Sequence, residues 1–376
     1  MQLEFTAEQE ALRDSVRAVL ERECPMSLVR AVAETGVAPN ALWKHMVDLG
    51  WTALTVPEPA GGLGLGAVEL AVVLEELGRA VAPGPFLATT AQVTPAVREA
   101  GDESQWQRFL GAVAEGTITG ALAITEPGTS VDPAAVQAQA TPGDAGWTLS
   151  GTKTFVLDGD TADEIVVVAR QPETAGEDGV VALVTPRDAI RVTPVRALDP
   201  SRGLVHLDLD DARVPTDRLL GAPGPSTARA LRRATDEATA LVAVEMVGTC
   251  QAIFDVTLEF AKQREQFGVP IGSFQAIKHK FADMLIALER ARATSYFAAL
   301  CVAEDDPRRA IATSTAKAAA GDCQRLLGKE GIQIHGGIGY TWEHDMHLYV
   351  RRAKTDAQLL GTAHEHRRRI AALLGL

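Results

Sequence analysis

Residues 260–284 read FAKQREQFGVPIGSFQAIKHKFADM. The run up to Arg264 has a helical pattern, and a second helical pattern starts near Ser273. Between them stands Gly268-Val269-Pro270-Ile271-Gly272. Pro270 lacks the N–H a continuing helix needs, and the two glycines accept backbone angles that other residues avoid. The interruption puts Arg264, Phe267 and Gln275 at a junction of two helices. A guanidinium there pairs with phosphate through a planar fork, an aromatic ring stacks, and a carboxamide both donates and accepts. Those groups suit a nucleotide cofactor. A plain helical hairpin with a surface arginine reads the same way from this stretch alone.

Outward from this stretch, the chain is helical from about 224 to its end. Helices are expected over 226–262, over 273–304, over 307–335, and from 341 onward with a break near Gly361. The second carries Ile277, Phe281, Met284, Leu285 and Leu288 on one face. Long helices with short connections make a four-helix bundle. From 119 to 223 the period shortens. Trp147–Leu149, Thr154–Leu157, Ile165–Ala169, Val180–Val184 and Val205–Leu209 read as strands bounded by Gly, Asp and Pro. With no helices between them they predict an antiparallel barrel or sandwich. Residues 1–118 are helical again, with Leu12, Val16, Val19 and Leu20, then Leu70, Val73, Leu74 and Leu77, at helical spacing. The glycine-rich stretch Val56–Gly64 lacks the lysine of a P-loop and reads as structural. The fold class is α+β. Three domains are expected: an all-α domain over 1–118, a β domain over 119–223 and a helical bundle over 224–376.

The 376 residues are 46% hydrophobic and 23% charged, the balance of an ordinary globular protein. A net charge of −13 argues against nucleic acid, whose phosphates need a basic surface. The scattered Cys24, Cys250, Cys301 and Cys323 have no CxxC spacing, which suits reduced thiols and a cytoplasmic location. The acidic, amphipathic opening MQLEFTAEQEALRD does not suit a signal or transit peptide. No apolar run is expected to reach the ~20 residues of a membrane span. His344 with His347, and His364 with His366, lack a third ligand of matching spacing, so no metal site is read.

Three further motifs carry chemistry. Thr125 to Asp132 reads TEPGTSVD, Ser150 to Gly159 reads SGTKTFVLDG, and Gln333 to Tyr340 reads QIHGGIGY. With the 260–284 stretch they resemble the signatures of the acyl-CoA dehydrogenase family of flavoproteins, and the resemblance runs over essentially the whole chain. It implies that family's architecture of N-terminal helical domain, middle β barrel or sandwich and C-terminal four-helix bundle. It implies FAD as cofactor, an acyl-CoA or acyl-carrier thioester as substrate and electron-transfer flavoprotein as acceptor. In the family the first motif's threonine bonds the flavin ring and the second motif's aromatic packs beside it; Thr125 and Phe155 match. Arg264, Phe267 and Gln275, with Gln333, Gly336 and Gly337, match residues that reach the cofactor of a neighbouring subunit, which implies at least a dimer. Thr362 matches a further cofactor-binding position. Three positions depart. Ser130 replaces the first motif's second glycine. Val131 replaces the serine that holds the pyrophosphate, and Leu157 replaces a hydroxyl residue that bonds flavin N5.

The family's reaction removes a proton from the carbon beside a thioester while the next carbon gives a hydride to the flavin. A carboxylate must take that proton, and hydrogen bonds must hold the developing enolate oxygen. The resemblance puts the glutamate either just before Gly361-Thr362 or 26 residues before Arg264. Leu360 and Ala238 occupy those positions. Glu237 is the candidate substitute, one residue off and so roughly 100° round the helix; Glu245 shares the face of Ala238 about 10 Å further along. Each is also readable as an ion-pair partner. The backbone N–H of Leu360 is still a donor for a thioester oxygen. Arg351-Arg352 stands where relatives have Arg-Asp. The readings left open are an active dehydrogenase with a displaced base, one subunit of a heterotetramer with a paralogous chain, an oxidase or monooxygenase on the same fold, and a non-catalytic partner subunit.

Overall fold

Ile165–Ala169 and Val180–Val184 are β-branched runs without polar alternation, the pattern of strands covered on both faces. The structure, a computed structural model, describes residues 4–376; Met1–Leu3, which begin the amphipathic opening stretch, lie outside the described residues. Its strands are β1 (Gly120–Ala123), β2 (Gln139–Gly143), β3 (Gly146–Ser150), β4 (Thr152–Leu157), β5 (Glu164–Arg170), β6 (Val180–Pro186), β7 (Arg191–Pro194), β8 (Leu204–Asp208), β9 (Ala212–Val214) and β10 (Leu219–Leu220). A seven-stranded sheet runs β10-β6-β5-β2-β3-β9, with β1 also on β5, and a three-stranded sheet runs β4-β8-β7. The expected all-antiparallel arrangement holds except at β5, which pairs parallel with β1 and, at one position, with β2.

The two-faced burial of β5 and β6 is borne out residue by residue. Val166, Val168, Val180, Ala182 and Val184 join one core with Val97, Phe109, Leu110, Leu231 and Ala234. Ile165, Val167, Ala169, Val181 and Leu183 face the other way, into a core shared with Val156, Val205 and Leu207 of the second sheet. The result is a helical layer, a central sheet and a covering sheet, as the period of two requires.

The helices before the strands are α1 (Ala7–Glu23), α2 (Met26–Thr35), α3 (Asn40–Asp48), α4 (Ala67–Arg79), α5 (Thr94–Ala100), α6 (Glu103–Gln105) and α7 (Gly111–Ala114). Thr6 and Gln9 close a reciprocal capping box at the start of α1, satisfying N–H groups no helix can satisfy itself. After the strands come α8 (Pro225–Gln263), α9 (Gln275–Ala303), α10 (Arg309–His335), α11 (Met346–Asp356) and α12 (Ala363–Leu373). These boundaries lie within a few residues of expectation, and the expected break near Gly361 is the turn between α11 and α12.

The chain forms two compact units. One holds the chain up to Val37, Ala67–Pro83 and Thr239–Leu376; the other holds Ala38–Gly66 and Gly84–Ala238. In the first, α4 crosses α8 so closely that a Cβ on Gly78 would overlap the Glu245 carbonyl, and one on Gly248 the Glu75 carbonyl. On α9, Met284 and Leu288 are buried as expected, but Leu285 is exposed together with Ile286. In the second unit the Val56–Gly64 loop folds on itself, with Leu63 and Gly64 donating to the Ala53 and Val56 carbonyls at 2.9 Å. One expectation needs correcting. Helix α8 contains an 18-residue window of mean hydropathy 1.5, apolar enough to cross a membrane; 72% of it is buried inside the protein, as in a core helix.

Candidate functional site

Two of the motifs meet in the second unit. Thr125 follows β1, and its carbonyl accepts from the Thr154 N–H of β4 at 2.9 Å. Beneath that contact lies a buried ion pair, Lys153 Nζ to Glu126 Oε1 at 2.5 Å. Glu126 also accepts from the Gln137 and Ala138 N–H groups at 2.6 and 2.9 Å. Burial pushes the Lys153 ammonium down to about 8 against the pull of Glu126. The pair fastens the Thr125 turn to β4. On β4 the register shifts between Lys153 and Val156, a bulge. Phe155 stands in it at φ +52° and is 55% exposed. A bulky residue at positive φ costs of order 1–3 kcal/mol and persists at sites where the surroundings impose it. Leu157 is buried in β4, and Val131 is half-buried against the apolar core. Of these departures from the family pattern, Leu157 has turned inward and Val131 is partly withdrawn from the surface.

The 260–284 stretch, in the first unit, forms a small hairpin rather than a simple turn. Glu265-Gln266 pairs antiparallel with Val269-Pro270. Phe267 and Gly268 make its tip at φ +56° and +79°, the signs of a type I′ turn. Phe267 is thereby 94% exposed. Arg264 is exposed just after α8, and its guanidinium makes no hydrogen bond or ion pair among the described residues. Gln275 is exposed at the first position of α9. At the end of α10, Gln333, Gly336 and Gly337 are exposed, and a Cβ at either glycine would meet open space. His335 between them is buried, stacked on Phe260 with centroids 4.3 Å apart, and bonded through Nδ1 to the Gly331 carbonyl at 2.8 Å.

The turn between α11 and α12 carries Leu360 at φ +54°. The Leu360 N–H has no partner among the described residues, while its carbonyl lies 2.9 Å from His366 Nε2. Burial pushes the His366 imidazole down to about 4. The ring is therefore neutral near pH 7, and Nε2 carries the proton it donates. Lys317, fully buried on α10, donates to the carbonyls of Asp356, Ala357 and Gly361 at 3.2, 3.2 and 2.8 Å. Thr362 caps α12, its hydroxyl donating to Glu365 Oε2 at 2.8 Å and accepting from the Glu365 N–H at 3.2 Å. That hydroxyl is engaged within its own helix.

Neither expected base position holds an ionisable side chain. Glu237 is 2% exposed, and its carboxylate accepts from the Arg98 guanidinium. Glu245 is buried 3.7 Å from Arg352, which is itself fully buried and donates to the Ala82 carbonyl at 3.2 Å. The unusual second arginine of Arg351-Arg352 is thus accommodated by an acidic partner on α8. Sequence reasoning gave no role to Lys153, Glu126, Lys317 or Arg98. A single lysine inside an alanine-rich run, as at Ala316-Lys317-Ala318, was the available signal.

Chemically, the first unit offers groups that suit a dinucleotide: the exposed ring of Phe267, an uncommitted guanidinium at Arg264 and glycine backbone open to close approach. The second unit separately presents the exposed ring of Phe155.

Comparison with known proteins gives the family. Profiles described as the N-terminal, middle and C-terminal domains of acyl-CoA dehydrogenase match residues 6–117, 121–212 and 228–375. Acyl-CoA dehydrogenase IpdE2 of Mycobacterium tuberculosis is 34% identical over 365 residues, 96% of each chain. Butyryl-CoA dehydrogenase from Megasphaera elsdenii superposes with a TM-score of 0.92 at 27% identity over all of both chains. A chain of the ChsE4-ChsE5 complex from Mycobacterium tuberculosis does so at 0.90 and 27%, covering 100% of this chain and 99% of that one.

Proposed function

The chain belongs to the acyl-CoA dehydrogenase family, a family of FAD-dependent oxidoreductases, and on that premise we propose that it works as one subunit of a heteromeric dehydrogenase. One observation carries the reading. Both positions that hold the family's glutamate are apolar, Ala238 and Leu360, and the adjacent carboxylate of Glu237 is bonded to Arg98. A carboxylate committed to a guanidinium is a poor acceptor for a weakly acidic carbon-bound proton. The departures are also one-sided. On the half that would seat this chain's own cofactor, Thr125 and Phe155 are kept, but buried Leu157 and half-buried Val131 have replaced the family's hydroxyl residues. Arg264, Phe267, Gln275, Gln333, Gly336 and Gly337, the half that would reach a neighbour's, are all present and exposed.

In this reading Arg264 pairs with the pyrophosphate, Phe267 and the Gly336-Gly337 backbone flank the adenosine portion, and Gln275 and Gln333 supply amide hydrogen bonds. Thr125 and Phe155 frame the ring end. The hydroxyl of Thr362 is left out, because it caps α12. Bound FAD supplies a hydride acceptor. The Leu360 N–H gives a thioester oxygen one hydrogen bond, but the proton goes to a carboxylate of the paralogous chain. Phe267, Phe274, Leu285, Ile286, Ile338 and Tyr340 are each exposed, apolar side chains that an obligate assembly would cover. The electrons pass to electron-transfer flavoprotein, in the cytoplasm, and the thioester is on coenzyme A or a carrier protein.

The test is purification of the chain alone and co-expressed with a paralogue encoded beside it. The expected result is little flavin absorbance alone, one flavin-loaded assembly with the paralogue, and anaerobic bleaching by acyl-CoA only in that assembly. An isolated chain that holds one FAD per chain and is bleached by acyl-CoA refutes the reading. Peroxide release or oxygen insertion by the isolated chain would favour an oxidase or monooxygenase instead.

A further inference from the structure

The turn from Asp356 to Gly361 is held from both sides by side chains that no motif marks. Lys317 projects from the alanine-rich middle of α10 and is fully buried. Its ammonium has three N–H donors, and the three carbonyls it meets span the turn: Asp356 and Ala357 where α11 ends, and Gly361 where the turn closes. Carbonyls at a helix C-terminus have no partners within the helix and carry its negative end, which favours a cation there, against the burial that pushes the Lys317 ammonium down to about 7. From the other side His366 of α12 donates to the Leu360 carbonyl at 2.9 Å. Between these anchors Leu360 keeps a backbone conformation at φ +54° that a branched residue does not choose unaided.

We propose that Lys317 is a positioning residue that fastens the Asp356–Gly361 turn and, together with His366, holds Leu360 so that its N–H stays open as a donor. The inference rests on the reading that this N–H takes a thioester oxygen, but the fastening itself is independent of bound cofactor. Within the turn the N–H groups of Gln358, Leu359 and Gly361 bond to the Thr355, Asp356 and Gln358 carbonyls at 3.0, 3.2 and 3.3 Å. These three amides report directly on whether the turn is intact.

The experiment is amide hydrogen exchange by mass spectrometry on the full chain in its purified assembly, comparing wild type with Lys317→Met, Lys317→Gln and Lys317→Arg. In K317M the peptide covering Gln358–Gly361 is expected to exchange at least about tenfold faster, as lost anchoring lowers the local opening free energy. The β5–β6 peptides should be unchanged, and K317R should recover most of the protection. Unchanged exchange of the turn in a folded K317M overturns the proposal. So does uniform acceleration across the chain, or failure of both K317M and K317Q to fold, since either makes Lys317 a general packing residue. Butyryl-CoA titrated into the same assemblies separates the two ideas. A turn that loosens in K317M with unaltered butyryl-CoA affinity leaves the fastening standing and removes the role given to the Leu360 N–H.

Discussion

Replacing Lys153 by methionine tests the link between the Thr125 turn and β4. The methionine fills much of the same volume but leaves the Glu126 carboxylate buried without its cation. Removing one member of a buried ion pair typically costs ~3–5 kcal/mol, because the other charge stays behind unpaired. Here the two backbone N–H groups of Gln137 and Ala138 remain on the carboxylate at 2.6 and 2.9 Å. They keep it partly solvated, so the lower end, about 3 kcal/mol, is expected. The double variant K153M/E126Q should lie ~1–2 kcal/mol above K153M, since a neutral amide retains an acceptor without the charge penalty. Urea unfolding of the four proteins closes the cycle. Flavin content of the assembly should fall in K153M, because Thr125 is bonded to the residue that follows Lys153. If K153M unfolds within about 1 kcal/mol of wild type, the pair is solvated in solution and the argument that it fastens the two motifs is wrong.

Other outcomes are expected with equal definiteness. Gly78→Ala or Gly248→Ala forces a methyl group into a backbone carbonyl and should cost ~3 kcal/mol or more, read by urea midpoint; a neutral result would mean α4 and α8 are further apart. The His366 imidazole falls from 6.5 to about 4 on folding, so the unfolded chain binds the extra proton and stability drops as pH falls through that window. The shift of 6.5 − 4 units is worth about 3 kcal/mol by linkage, and H366N should flatten the acid limb of stability between pH 6.5 and 4 relative to wild type. Phe267→Ala, at the hairpin tip, should leave the urea midpoint within about 0.5 kcal/mol yet lower flavin content; equal flavin retention would remove it from the proposed cradle. Glu237→Gln should weaken the fold through Arg98 without abolishing flavin reduction by acyl-CoA in the assembly, whereas complete loss of reduction with flavin bound would make Glu237 the base after all.

The sequence alone determined the order of helices, strands and helices, the extents of α8, α9 and α10, the central strands and the four motifs. Those are set locally, by periods of 3.6 and 2 and by glycine and proline at turns. The short strands β1, β2, β7, β9 and β10 were not legible, because two to five residues carry too little periodicity and owe their pairing to distant partners. The tertiary structure alone decided where single side chains point. Val131 and Leu157 were visible as substitutions, but only packing showed Leu157 buried and Val131 half-buried against the core. Phe267 was visible as an aromatic near a turn, but its exposure follows from two successive positive φ angles that close a hairpin. Arg352 opposite Glu245, Lys153 against Glu126, and Lys317 beneath the Leu360 turn bring together residues separated by 27 to 107 positions. A buried charge requires its partner in space, and no local pattern states where along the chain that partner will be found.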